Sequence, residues 1–197
     1  MKRNSRLCYS AYRLWIRGLI AILWLCFAAA PAICQVGTPS EDQVKAAYLY
    51  NFGRYIKWPP TAATDQERAF TICVFSEDPF GATLDAELSR QVLNGKPVVI
   101  KRIGKPQDAS GCRIAFIHMA QNDRLQEILA SLNQNSVLTV SDMPDFLRRG
   151  GMIQFVLHDE RVRFEINLTT AASARLTVSS ELLKVASSVI GKAQGRE

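Results

Sequence analysis

The sequence predicts an α/β fold: a single domain on a mostly parallel or mixed β-sheet flanked by helices on both faces, with a C-terminal antiparallel hairpin and a final helix. Three observations carry this expectation. Short runs of β-branched and aromatic residues alternate with segments of helical spacing through the middle of the chain, the rhythm of βαβ units and of a covered sheet. Near the end, Met152 to Leu157 and Val162 to Leu168 flank His158-Asp159-Glu160-Arg161, a spacing that suits a hairpin. Setting aside an N-terminal leader leaves about 160 residues, enough for one hydrophobic core and too few for two.

That leader is residues 1–34. Lys2, Arg3, Arg6, Arg13 and Arg17 stand there without one acid, and an apolar stretch from Leu19 to Ala30 follows. A charged region before a short apolar one is a secretory signal. About a dozen residues fall short of the roughly 20 a helix needs to cross a bilayer, so cleavage is expected rather than anchoring. Small residues allow a cut after Cys34 or after Ala32. A lipid anchor on Cys34 and an uncleaved anchor remain as alternatives, the first opposed by the bulk of Ile33. The expected organisation is therefore a signal peptide over 1–34, an α/β domain over 35–190 and a disordered tail over 191–197.

Export changes the electrostatics. The full chain carries a formal charge of +6, and losing the five leader cations leaves +1. The basic character belongs to the leader, which removes the ground for a nucleic-acid partner. Of five cysteines, Cys8, Cys26 and Cys34 leave with the leader, and Cys73 and Cys112 remain. In an oxidising compartment a disulfide is the default for such a pair, with two buried thiols as the alternative.

Ser40-Glu41-Asp42-Gln43 has the form of a capping box, so a helix should start there. Val44, Tyr48, Phe52 and Ile56, joined by Ala47 and Tyr55, give it an apolar face until Trp58-Pro59-Pro60 stops it. Phe70 to Phe75 reads as a strand, and Thr83 to Val92 as a helix on Leu84, Leu88 and Val92. After the turn cluster Asn94-Gly95-Lys96-Pro97, Val98 to Ile103 reads as a second strand and Arg113 to His118 as a third. Asn122 or Asp123 can cap a helix carrying Leu125, Ile128, Leu129 and Leu132, and Val137 to Val140 is the next short apolar run. A helical turn over Pro144 to Arg149 ends at Gly150-Gly151. Val162, Phe164, Ile166 and Leu168 alternate with polar residues, marking a half-exposed strand whose hairpin should form one edge of the sheet. Ser179 or Ser180 caps a last helix, with Leu182, Leu183, Ala186, Val189 and Ile190 as its buried face.

Catalytic patterns are scarce. His118 and His158 stand alone, without the neighbouring ligands a metal needs. No Gly-x-Ser-x-Gly occurs, and Gly104-Lys105-Pro106 lacks the upstream glycine and following hydroxyl of a phosphate loop. Asp78, Asp85 and Glu87 could be acids in a cleft, yet the latter two also suit a solvated helix face. Cys73 and Cys112 lack the close spacing of a redox-active dithiol. No enzyme, cofactor or metal is expected.

The segment Asp42-Gln43-Val44-Lys45-Ala46-Ala47-Tyr48-Leu49-Tyr50-Asn51-Phe52-Gly53-Arg54-Tyr55-Ile56-Lys57-Trp58-Pro59 resembles the opening signature of the YfiR family. Arg161 to Leu168, leading through Ala171-Ala172 to Leu176-Thr177-Val178-Ser179-Ser180-Glu181-Leu182-Leu183-Lys184-Val185-Ala186, is similar to its C-terminal signature, with Gly150-Gly151-Met152-Ile153 between. The resemblance implies a periplasmic α/β protein in which Cys73 pairs with Cys112. It further implies repression of an inner-membrane signalling protein, a diguanylate cyclase, by binding its periplasmic domain, which lowers cyclic-di-GMP and biofilm formation. By position Lys57 matches a basic residue associated in the family with a nucleotide-like ligand, while Thr177 and Ser179 stand where no basic residue is offered.

Tyr48, Phe52, Tyr55 and Trp58 offer more aromatic surface than one helix face usually needs. Tyr48 and Tyr55 are therefore candidate partner contacts, against the plainer account of core packing. A homodimer stays open. The other functional class is a periplasmic small-molecule-binding module, with a cleft at the carboxyl ends of the strands near Ser76 to Pro79 and His118 to Asn122.

Overall fold

A computed structural model describes residues 38–60, 68–75 and 77–191. The expected signal peptide and all but the first residue of the expected tail lie outside them. Every element below belongs to the unit Pro39–Glu197.

Helix α1, Glu41–Tyr55, begins as its capping box requires. The Gln43 amide donates to Ser40 Oγ at 3.2 Å and the Ser40 amide to Gln43 Oε1 at 2.9 Å, while Glu41 and Asp42 face the positive end of the helix dipole. The helix stops at Tyr55, and Ile56–Lys57 form a short strand, β1. The buried face is centred on Ala46, Leu49 and Phe52, with Val44, Tyr48 and Tyr55 at its half-buried margin and Ala47 exposed. The expected stripe was thus displaced by a fraction of a turn. It omitted Leu49, and Ile56 is buried from a strand.

Strands β2 (Phe70–Phe75), β4 (Lys96–Ile103), β5 (Cys112–Ile117), β6 (Leu138–Ser141), β7 (Ile153–His158), β8 (Arg161–Asn167) and β10 (Ser188–Ile190), with the two-residue β3 (Val92–Leu93), make one sheet. Its order is β10-β8-β7-β6-β5-β2-β4-β3. The pairings β4–β2, β2–β5, β5–β6 and β6–β7 are parallel, β7–β8 and β3–β4 antiparallel, and β10 joins β8 in parallel. Strands β2, β5 and β6 are buried almost throughout, as parallel strands covered on both faces must be. One face packs against α1 and α2 (Ala82–Leu88), the other against α3 (Leu125–Gln134), giving two core layers.

Several boundaries differ from expectation for identifiable reasons. Helix α2 ends at Leu88 because Asn94 and Gly95 both adopt positive φ, the two-residue turn of a hairpin, and this recruits Val92 into β3, where it is exposed. Helix α3 has Arg124 at its cap, without a side-chain hydrogen bond, because a 3-10 turn over Met119–Arg124 precedes it. Asn122 instead accepts from Arg149.

Leu168 opens a helix, α4 (Leu168–Ser173), capped by Asn167, where alternation had extended the strand. Ser179 caps α5, Ser180–Val185, by accepting from the Leu182 amide. That last helix is shorter than expected: Ala186 turns extended, the Ser187 amide donates to the Phe164 carbonyl at 2.9 Å, and β10 pairs along β8. Val189 and Ile190 therefore lie exposed on a strand rather than buried on a helix, and the β7–β8 hairpin is not the sheet's edge.

Candidate functional site

A cavity of about 540 Å³ opens at the amino ends of the parallel strands. Four cations from four elements line it: Arg54 from the last turn of α1, Lys57 from β1, Lys96 at the start of β4 and Arg113 in β5. Trp58 and Phe70 supply an aromatic wall, their rings edge to face at 5.6 Å. The buried indole Nε1 of Trp58 has no hydrogen-bond partner among the described residues. Among the described residues that line the cavity there is no carboxylate. Converging cations beside a flat aromatic surface suit an anion that carries a planar body.

Lys57 takes its place through a second, two-stranded sheet. It pairs with Thr177 and Ile56 with Val178 in β9 (Thr177–Val178), and the Ser179 amide donates to the Tyr55 carbonyl at 2.9 Å. The C-terminal segment thereby fixes the exit of α1. Thr177 is opposite Lys57, while Ser179 is occupied in capping α5.

Arg113 arrives by a bulge. Thr71 is in register with Cys112, yet Ile72 is in register with Ile114, so Arg113 is an extra residue in β5. Sequence reading missed Arg54, Lys96 and Arg113, since single basic residues spread over 60 positions carry no local signal.

The same bulge sets the bridge. Cys73 and Cys112 are disulfide-bonded with Cα atoms 5.8 Å apart, linking neighbouring strands β2 and β5 inside the layer beneath α3.

The two tyrosines differ in surroundings, and neither lines the cavity. Tyr48 is half-buried against Phe52, Phe155 and Phe164, with ring centroids 6.1, 6.0 and 5.1 Å away. Tyr55 is half-buried, and the Arg54 guanidinium lies 5.8 Å over its ring.

Asp78 and Asp85 do not stand as free acids. Arg102 bonds to Asp78 at 2.7 Å and to Asp85 at 2.5 Å, and its guanidinium holds the Asp85 carboxyl below the usual range. Glu87 accepts from Gln43 at 3.0 Å. Neither histidine belongs to a cluster: His158 is exposed beside Asp159, and the described residues contain no group of three potential metal ligands.

At the carboxyl ends of β5 and β6, close to one of the places expected for a cleft, lies a second crevice of about 370 Å³ that includes His118. Its unforeseen member is Lys45, only 7% exposed. Burial draws the Lys45 proton off, but hydrogen bonds to Asp142 and Glu41 outweigh it and hold the proton more firmly than in an ordinary lysine.

A family model described as YfiR/HmsC-like matches residues 42–187. This supports a periplasmic regulator in general, of a kind that is regulatory rather than catalytic. No curated protein matches the chain. Among solved structures, a conserved domain protein from Vibrio cholerae O1 biovar El Tor aligns with a TM-score of 0.52 at 10% identity, over 76% of this chain and 60% of that one. At that identity the likeness concerns the fold alone, and the chain spans about three fifths of that protein's length. The ABC domain from Streptococcus pneumoniae, solved in complex with L-Trp, aligns at a TM-score of 0.46 and 13% identity, over 61% of this chain and 55% of that one. No helix among the described residues is long and apolar enough to cross a membrane.

Proposed function

Because the chain belongs to the YfiR/HmsC-like family, we propose that it acts in the periplasm as a repressor of an inner-membrane signalling protein, a diguanylate cyclase. Residues 1–34 direct export and are removed. The domain that remains binds the periplasmic part of the cyclase, keeps it inactive and so lowers cyclic-di-GMP and biofilm formation. The observation that carries this reading is the family match along nearly the whole described domain. Tyr48 and Tyr55, at the half-buried margin of α1, are the proposed partner contacts.

The experiment is genetic and direct. Deleting the gene should raise cellular cyclic-di-GMP, and the exported wild-type chain should restore it. A version without residues 1–34 at its start should fail to do so. Unchanged cyclic-di-GMP in the deletion strain sinks the proposal.

A second reading, a periplasmic module for a nucleotide-like ligand, is favoured by the cation-lined cavity that contains Lys57. Its test is a thermal-shift screen with nucleoside monophosphates. A ligand of that site should stabilise the wild type in proportion to its concentration and should stabilise Lys57→Ala less. Equal stabilisation of both proteins removes Lys57 from the site.

A further inference from the structure

We propose that the crevice around Lys45 is a second binding site, specific for a small primary amine with an apolar body. It does not rest on the repressor reading or on the Lys57 cavity, which opens at the opposite ends of the strands.

The crevice is divided in character. Its polar part is made of Glu41 and Lys45 from the first turns of α1, His118 just after β5 and Asp142 just after β6. Its apolar part is made of Phe155 and Leu157 from β7, which runs on past the end of β6, together with Met119. Phe155 is buried, whereas Leu157 and Met119 are 63% and 54% exposed at the rim. Two large apolar side chains kept in water beside an opening are a surface that an apolar ligand would cover.

The polar part is short of positive charge. Lys45 Nζ lies 2.7 Å from Glu41 Oε1 and 2.8 Å from Asp142 Oδ2. One ammonium thus serves two carboxylates, and no other cation lines the crevice among the described residues. Asp142 Oδ1 and His118 Nδ1 are both buried and have no hydrogen-bond partner among the described residues. Both atoms are closed to water, so a ligand that reached them would supply donors that the fold withholds. A carboxylate oxygen accepts only, and an imidazole nitrogen that carries no hydrogen accepts as well. A primary ammonium brings three donors and one positive charge, which matches both needs. An anion would meet net negative charge instead.

The probe is 2-phenylethylamine, with 3-phenylpropionate as the anion of similar shape, titrated into 15N-labelled protein lacking residues 1–34. The amine should give saturable shifts at His118, Met119, Asp142 and Leu157, and the propionate should not. Asp142→Asn should weaken binding about tenfold. Since Asp142 also holds Lys45 and its loss could disturb the fold, Leu157→Lys provides the second variant: its side chain is exposed, so the domain should stay folded while the amine is repelled. No saturable shift at millimolar amine, equal shifts from the propionate, or undiminished binding by Leu157→Lys overturns the proposal.

Discussion

Replacing Cys73 and Cys112 together by alanine should cost the folded domain about 4 kcal/mol. The bridge spans 39 residues of sequence, and restricting a loop of that size in the unfolded chain corresponds to about 4 kcal/mol on the loop-entropy model. Against a net stability of roughly 5–15 kcal/mol, that is a large share. Alanine is the informative substitution: both sulfurs are buried in an apolar layer, where serine hydroxyls would add a desolvation cost of about 1–3 kcal/mol unrelated to the cross-link. Trp58, the one tryptophan after residue 34, packs on Phe70 in β2 and reports unfolding by its fluorescence. In urea titrations the double variant should show a lower midpoint and a steeper dependence on denaturant, because the freed chain exposes more surface when unfolded. A loss below about 1 kcal/mol with an unchanged slope would mean that the bridge does not restrain the unfolded state, and the reasoning would fail.

Three further outcomes are expected. Ser40→Ala removes the acceptor for the Gln43 amide and should destabilise the domain by about 1 kcal/mol in the same titration. Gly151→Ala would place a Cβ 2.2 Å from the buried ring of Phe146, so it should cost about 1–3 kcal/mol, and Phe146→Leu in the same chain should recover part of that loss. Arg102→Ala should flatten the acid limb of the stability curve. Arg102 depresses the folded-state pKa of Asp85, so the stabilisation is present above the unfolded value near 4 and is lost as pH falls through the folded one. With Asp85 46% exposed the difference should stay below about 1 kcal/mol, and the wild-type and variant curves should converge in acid.

The elements that were legible in the sequence share a local cause. Ser40 with Gln43, the cap at Ser179, one of the two serines offered, and the apolar runs of β2 and β5 each act over a few residues; β2 forms where its residues say it should, and β5 lies one residue earlier than Arg113 to His118. The misplacements occur where a distant strand competes. Leu182, Leu183, Ala186, Val189 and Ile190 satisfy helical spacing, but the open edge of β8 offers backbone hydrogen bonds to Ser188–Ile190, and the strand wins. Val92 likewise fits the face of α2 until the Asn94-Gly95 turn folds it back on Pro97. Lys57 was legible as a candidate through its place in a recognisable segment. Its cavity was not, because Arg54, Lys96 and Arg113 meet it only after β1, β4 and β5 are assembled.

The bulge in β5 shows why pairing and geometry are separate questions. Counting by twos along Cys112–Ile117 places Cys112 on the face of Ile114 and Phe116, which pack in the layer of α1. Cys73 faces the other layer, with Phe75, Ala115 and Ile117. A regular β5 in register with β2 would therefore set the two sulfurs on opposite sides of the sheet. The extra residue, Arg113, reverses the parity at that one point, so Cys112 comes onto the side of Cys73 while Ile114 onward keeps its own. The bulged residue is also the one that β5 contributes to the cation-lined cavity. Deleting Arg113 should consequently remove the charge and the bulge yet keep the bridge: Cys112 would then directly precede Ile114 and alternate onto the side of Cys73, so the unfolded protein should show no free thiol to a thiol reagent. Arg113→Ala, which keeps the residue count, should leave the bridge intact. Two free thiols after the deletion would refute the parity argument.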